Sequence, residues 1–140
     1  QDMGNVETLI IRRLRCEDCR RIHHELPAFL LPYKRYQAFC IEKKIHSTEL
    51  FDVAADQSTL YRWNRWFQIL AHYWLNCLRS LAFRFMWAIA SVNPSPSGSL
   101  TVLEQLGHFV GDAPGWLTRM AKPIINVNLW IQTRSAFLPQ

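Results

Sequence analysis

The longest regular pattern of apolar and polar positions in this chain runs over residues 57–91. Nine apolar residues recur there at helical spacing and share one broad face: Leu60, Trp63, Trp66, Phe67, Leu70, Trp74, Cys77, Leu78 and Leu81. Polar residues such as Arg62, Arg65 and Gln68 fall on the opposite face. A 3.6-residue period maintained over this length predicts one long amphipathic helix. Ser58 is its predicted N-cap.

Two shorter helices are predicted before the long one. Residues 33–46 carry apolar positions at helical spacing, and Ser47 or Thr48 is placed to cap a short helix over residues 49–55. A tight connection at 56–57 follows. This order of elements is the layout of a helix-turn-helix, in which the start of the last helix reaches bases in the major groove. The alternative is a plain three-helix bundle.

A short β-branched segment and a Cys-x-x-Cys motif stand near the beginning of the chain. Residues 6–15 are too short for an independent helix and are predicted to form a strand. Cys16 and Cys19 follow it and can place two thiolates on one ion at the tip of a turn. His23 and His24 supply further ligands, so the pattern favours a tetrahedral zinc site.

The third and fourth zinc ligands are not decided by the sequence. On an ideal strand His23 and His24 point to opposite faces, so both bind only if the chain bends there. Otherwise Cys40 or His46 must complete the shell. Free thiols, a redox pair or a local disulfide are the alternatives, but no thioredoxin-like βαβ pattern and no secretory signal accompany the cysteines.

The last third of the chain contains a polar break and then shorter helices. Residues 93–99 are rich in Pro, Ser and Gly and predict a linker. Helical spacing then predicts a helix over 100–110, a turn at 111–115, a helix that ends at Pro123, and partial helix over 124–137. These apolar faces are too large to remain in water, so they pack on the long helix or meet a partner.

Composition and charge limit the classes of function that are expected for this chain. The 140 residues are 49% hydrophobic with a formal net charge of +5, which suits one sizeable core and not a disordered segment. Thirteen of the sixteen Lys and Arg residues precede Asn93, which is compatible with a polyanionic partner. Residues 73–92 approach the apolarity of a membrane span, but Arg79 and Arg84 interrupt them, so a buried helix and a cytoplasmic protein are expected.

The start of the long helix carries the side-chain types that contact DNA. Hydroxyl, amide, phenol and guanidinium groups bind phosphates and base edges. The predicted contacts are Gln57, Ser58, Thr59, Tyr61, Arg62 and Arg65, with Lys34 and Arg35 on the DNA backbone. A solvated outer face is the alternative. No enzyme is predicted, because the carboxylates are scattered and no phosphate loop or nucleophile motif is present.

Three sequence blocks carry a resemblance to a known family. They are Cys16-x-x-Cys19-x-x-x-His23-His24-Glu-Leu-Pro27, Pro32-Tyr-Lys-Arg-Tyr36 and Arg62-Trp-x-Arg-Trp-Phe67. With residues 128–138, they resemble a family of small bacterial proteins of unknown function in which a zinc ribbon is joined to a helix-turn-helix. Members of that family are similar to the DNA-binding front ends of insertion-sequence transposases. The resemblance implies DNA recognition linked to a mobile element.

These observations predict a mainly α-helical protein with a small zinc-ribbon-like β hairpin. The predicted parts are a metal-binding head (1–32), a helix-turn-helix with the long helix (33–92), a linker (93–99) and a C-terminal helical region packed on the core (100–140). The predicted function is that of an accessory or regulatory protein that binds double-stranded DNA, and a homodimer would suit palindromic sites. The alternatives are an adaptor that docks a transposase or another protein, and a membrane-associated protein.

Overall fold

The computed structural model describes residues 6–47, 53–87 and 100–131, together with the backbone of residues 135–137. Within these ranges the chain forms four helices and three short strands. In chain order they are β1 (Arg13–Arg15), β2 (Ile22–Leu26), α1 (Ala38–His46), α2 (Gln57–Phe85), α3 (Val102–Val110), α4 (Trp116–Asn126) and β3 (Ser135–Phe137). The prediction of a mainly helical fold with a small β hairpin and one long helix is confirmed.

The core is built around α2, whose apolar face lies where the periodicity predicts it. Most of the nine predicted face residues are buried, while Trp66 and Leu70 are half-buried at the margin. Helices α1, α3 and α4 all contact α2, so the C-terminal helices pack back on it. Trp74 and Leu78 are fully buried. Truncating side chains of this kind to Ala costs about 2–5 kcal/mol.

The N-cap of α2 is Asp56 and not the predicted Ser58. The Asp56 carboxylate accepts the backbone N–H of Thr59 at 2.6 Å and the hydroxyl of Ser58 at 3.0 Å. Both residues can cap a helix, but a carboxylate also interacts favourably with the positive end of the helix dipole. Ser58 therefore supports the cap from inside the helix.

The C-terminus of α2 also differs from the prediction, which extended the helix to residue 91. The helix ends at Phe85 because Met86 adopts the left-handed conformation with φ 49°. The N–H of Trp87 then donates to the carbonyl of Ala82 at 3.0 Å, which closes the last turn. The predicted linker over 93–99 lies outside the described residues. In the parts of the chain that are described, no helix is both long enough and apolar enough to cross a membrane.

The N-terminal strand is much shorter than the predicted residues 6–15. β1 contains three residues, and its pairing with β2 extends only to Arg12, whose carbonyl accepts the N–H of Glu25 at 3.0 Å. Residues 6–11 have no strand partner in the described chain, and most of their side chains are exposed. β-branched composition identified the segment, but a five-residue partner strand limits how much of it can pair.

α1 begins at Ala38 and not at the predicted residue 33. Tyr33 has a φ of 58°, which interrupts any helix there, and the N–H of Ala38 donates to the carbonyl of Phe29 at 2.8 Å. Of the predicted short helix over 49–55, only its end is described, and residues 53–55 are not helical. The helix-turn-helix stays a prediction, since its middle helix lies mostly outside the described residues.

A buried carboxylate joins α1 to the start of α4. Glu42 is 3% exposed, and its two oxygens accept the backbone N–H groups of Gly115 at 2.8 Å and Leu117 at 2.7 Å. These amides belong to the first turn of α4, where N–H groups have no partner within the helix. Glu42 thus caps α4 from another helix.

The connection between α3 and α4 is held by Arg119. Its guanidinium donates to the carbonyl oxygens of Val110 at 2.8 Å, Ala113 at 2.6 Å and Pro114 at 2.9 Å. The predicted turn over residues 111–115 is confirmed. One side chain therefore satisfies three backbone carbonyl groups at this turn.

The C-terminal end of the chain departs from the prediction in two ways. α4 does not end at Pro123 but continues to Asn126, because Ile124 and Ile125 are buried and their packing offsets the hydrogen bond that proline cannot donate. Residues 135–137, predicted as part of a partly helical region, form β3, which pairs in parallel with β2. A three-residue strand is too short for periodicity to reveal.

Candidate metal centre and nucleic-acid surface

The β1–β2 hairpin brings the Cys-x-x-Cys motif and β2 together. Leu14 lies opposite His23 in the antiparallel pair, and the N–H of Cys16 donates to the carbonyl of Arg21 at 2.9 Å. Arg20, directly after the second cysteine, has a φ of 56°, which turns the chain back toward β2. The hairpin therefore places both cysteines at its tip, on the turn that leads into β2, the strand that carries His23 and His24.

Cys16, Cys19 and His23 form a cluster whose ligand atoms all lie within 4.8 Å of one another. The Cys19 Sγ and His23 Nε2 atoms are 4.0 Å apart. Around a tetrahedral zinc ion, sulfur and nitrogen ligands are separated by about 3.5–3.8 Å, given the usual metal–ligand distances. Small side-chain movements bring the cluster to that geometry. This Cys2His site can hold a metal ion.

The electrostatics of the turn favour a thiolate at Cys16. Hydrogen bonds from the backbone N–H of Cys19, from the Cys19 thiol and from the backbone N–H of Asp18 lower the pKa of the Cys16 thiol. Amide groups aimed at a sulfur are what a turn of this spacing supplies, and the thiolate is the form that binds metal. The backbone amides of the turn thus favour the thiolate form of Cys16, which is the form that binds a cation.

The remaining predicted ligands lie outside the cluster. His24 is exposed on the other face of β2, because the strand continues without the bend that both histidines would need. The ring of His46 packs edge-on against Trp116 with centroids 5.5 Å apart, and Cys40 packs half-buried against the core. His24 is therefore not part of the cluster, and its role as a ligand stays a prediction. The described residues supply three ligands.

The hairpin is also strongly basic, whereas the sequence analysis used its arginines only within the overall excess of positive charge before Asn93. Arg13, Arg15, Arg20 and Arg21 are all exposed on it. Arg12 differs, because its guanidinium forms a two-pronged ion pair with Glu25 on β2. That contact raises the pKa of Arg12 and lowers the pKa of Glu25. The five arginines within residues 12–21 are the feature of the sequence that could have revealed this basic surface.

The start of α2 presents most of the predicted DNA contacts to solvent. Tyr61, Arg62 and Arg65 are exposed, as are Gln57 and Ser58, while Thr59 is half-buried. Ser58 is engaged by the Asp56 carboxylate, which also attracts Arg62 electrostatically and has its pKa lowered chiefly by the Thr59 and Ser58 hydrogen bonds. Within the described chain, neither Arg62 nor Arg65 forms an ion pair. Their guanidinium groups are accessible.

Lys34 and Arg35, the two residues predicted to contact the DNA backbone, differ in their exposure. Arg35 is exposed. The Lys34 ammonium lies over the ring of Trp66, 4.0 Å from its centroid, and partial burial lowers the pKa of Lys34. Lys34 is therefore packed on the edge of the core, and its contact with the DNA backbone stays a prediction.

Fold and cluster together define a small, mainly helical protein whose N-terminal hairpin carries a Cys2His site able to hold a metal ion. Residues 1–63 are similar to a family described as Domain of unknown function (DUF6431). That match contains the metal cluster, α1 and the beginning of α2 as far as Trp63. Searches of curated proteins and of solved structures found no match.

Proposed function

We propose that this protein binds double-stranded DNA through the start of α2 and that its hairpin is a zinc site. The observation that carries the DNA proposal is the exposure of Tyr61, Arg62 and Arg65 along one side of a firmly anchored helix. Anchoring comes from the opposite side, where Trp63 is 4% and Phe67 8% exposed. A rigid helix with accessible guanidinium groups can position them on phosphates or guanine edges at little entropic cost.

The basic hairpin supports the same partner. Its four exposed arginines and those of α2 have the charge that a phosphate backbone requires, and phosphate contacts supply most non-specific affinity. Sequence resemblance to transposase front ends is the sole support for a link to a mobile element. We therefore infer an accessory or regulatory DNA-binding role, and not a catalytic one.

Zinc is the ion that the ligand chemistry favours. Two thiolates and one imidazole are borderline-soft ligands that suit zinc and disfavour calcium or magnesium, which take oxygen ligands. The hairpin also needs support, because all three residues of β1 are exposed and only Leu26 of β2 is buried. β2 also pairs with β3, but strands that bury so little surface are marginal without a metal.

The experiment is a fluorescence-anisotropy titration of a labelled mixed-sequence duplex at several salt concentrations, between about 50 and 200 mM. Wild-type affinity should fall steeply with salt. Arg62→Ala and Arg65→Ala should each weaken binding, by about 1–3 kcal/mol if the residue contacts a base, and reduce the salt slope by about one if it contacts a phosphate. Arg84→Ala is the matched control, because Arg84 is exposed on the last turn of the same helix.

Equal binding by wild type and both α2 variants, with normal melting temperatures, would refute the proposed DNA surface. A second function then gains weight, that of an adaptor for another protein. It is favoured by Phe83 and Met86, which are 89% and 88% exposed near the end of α2. Co-purification with a partner that is lost in Phe83→Ser, but retained in Arg62→Ala, would support it.

A further inference from the structure

A cleft of about 380 Å³ lies between the segment that precedes α1 and the middle of α2. We propose that it binds a small planar ring that carries one anionic group, a carboxylate or a phosphate. Its volume is within the range of small-molecule sites, and its walls are mostly aromatic and aliphatic. The proposal does not depend on DNA binding.

The walls of the cleft suit a flat ring. Trp74 and Trp130 are stacked with centroids 5.0 Å apart and planes 8° apart, and Trp66 meets Trp74 edge-on at 4.8 Å. Ile69 and Ile131 also line the cleft and are 64% and 43% exposed. Trp74 and Trp130 are already buried. The surfaces that gain from contact with another ring are therefore the half-buried Trp66 and the exposed Ile69 and Ile131.

Among the described residues that line the cleft, Lys34 carries a positive charge and none carries a negative one. The Lys34 ammonium lies over Trp66, and none of the residues that line the cleft is acidic. The Lys34 side chain is half-buried, and this partial removal from water lowers its pKa. An anion in the cleft would replace the interactions with water that the Lys34 ammonium has lost.

One residue that lines the cleft, Trp74, carries a buried hydrogen-bond donor. Trp74 is fully buried, and its indole N–H has no acceptor among the described residues. A buried donor without an acceptor is costly, and none of the described residues supplies the partner. A carboxylate or phosphate oxygen, or a ring carbonyl, has the required chemistry. The N–H of Trp116 is equally unpartnered but does not line the cleft.

The test is equilibrium dialysis of the full chain against 2-naphthoate, with the neutral 2-naphthamide in parallel. We expect saturable binding of naphthoate at one site and much weaker binding of the amide. Lys34→Met keeps the aliphatic stem and should weaken naphthoate binding about tenfold or more, the usual value of a charge-assisted contact. Lys44→Met, on α1 and outside the cleft, should bind as wild type does. Trp74→Phe should weaken binding, whereas Trp116→Phe should not.

A third dialysis with adenosine monophosphate distinguishes the source of the ligand. Nucleotide binding with the same Lys34 dependence would assign the cleft to nucleotides, and naphthoate binding alone would assign it to free aromatic acids. The proposal is overturned if neither probe binds, if naphthoate and naphthamide bind equally, or if Lys34→Met changes nothing. Melting curves of Lys34→Met, whose side chain is half-buried, verify that the variant is folded.

Discussion

Replacing Glu42 by Ala should destabilise the protein more than any other single loss of a polar side chain described above. The change removes two hydrogen bonds to an ionised acceptor, at 2.7 and 2.8 Å, and leaves the amides of Gly115 and Leu117 without a partner. Each unsatisfied buried amide costs about 1–3 kcal/mol. Removing the carboxylate also relieves its own desolvation penalty, so we expect a net loss of about 3–5 kcal/mol.

That loss is large for a chain of this size. Small proteins have total stabilities of about 5–15 kcal/mol, so the variant should melt roughly 10–15 °C lower. Urea denaturation followed by circular dichroism and by tryptophan fluorescence measures the free energy of unfolding. Trp116 begins α4 and contacts Phe67 of α2 with ring centroids 5.8 Å apart, so loosening of α4 should change the fluorescence as well.

Two further variants separate capping from the loss of side-chain volume. Glu42→Gln keeps the shape and one acceptor oxygen and should lose less stability than Glu42→Ala. Glu104→Ala removes the carboxylate of the capping box at the exposed start of α3, where water replaces the lost contact, and should have a much smaller effect. If Glu42→Ala costs no more than Glu104→Ala, or if Glu42→Gln and Glu42→Ala are equal, the capping argument is wrong.

Three other predictions concern the metal, the end of α2 and acid stability. Protein purified without added metal should contain one zinc per chain by elemental analysis, and His23→Ala should lower that content while His24→Ala should not. Met86→Gly should raise the unfolding free energy in urea by about 1 kcal/mol, since glycine accepts the left-handed conformation without steric cost, whereas Met86→Ala should give no gain. Hydrogen bonds to Thr59 and Ser58 lower the pKa of Asp56, and those to Thr101 lower the pKa of Glu104. Because the unfolded carboxylates bind protons more readily, stability should be constant above about pH 5 and fall as the pH drops through the folded pKa values. Asp56→Asn should make that fall shallower in urea titrations at a series of pH values.

Local pattern was sufficient to predict α2 but not its ends. The 3.6-residue period extends over many turns, so single exceptions do not obscure it. At the N-terminus, Asp56 and Ser58 are both capable caps two positions apart, and only the direction of the chain before them decides between the two. At the C-terminus, apolar residues continue past Phe85, and the left-handed conformation of Met86 has no signature in the sequence.

The metal ligands that are close together in sequence could be predicted. Cys16 and Cys19 share a turn, and strand alternation required a choice between His23 and His24. The choice itself depends on the register of the hairpin, which puts Leu14 opposite His23. Glu42 illustrates the opposite case, since its partners are more than 70 residues away and nothing near it in sequence indicates a cap.

Lys34 shows that a basic residue beside a predicted DNA surface can also be packed on the core. Its place in the Pro-Tyr-Lys-Arg block and its charge suggested a phosphate contact. The fold instead brings Trp66 under its ammonium, at 4.0 Å from the ring centroid. Lysine stems pack readily on aromatic surfaces while the head group stays near water, and that packing depends on a contact 32 residues apart in sequence.

The segment that resembles a family, residues 1–63, cannot account for its own stability in this chain. Helix α1 contacts α4, Glu42 caps α4, and His46 packs on Trp116, so the segment's helical part is completed by residues that follow it. Trp63, the last residue of the match, is buried in a core to which α3 and α4 also contribute. Separating residues 1–63 would expose that apolar surface and leave the buried carboxylate without its amide partners. The start of α2, the proposed DNA surface, therefore depends on a scaffold that the later helices supply.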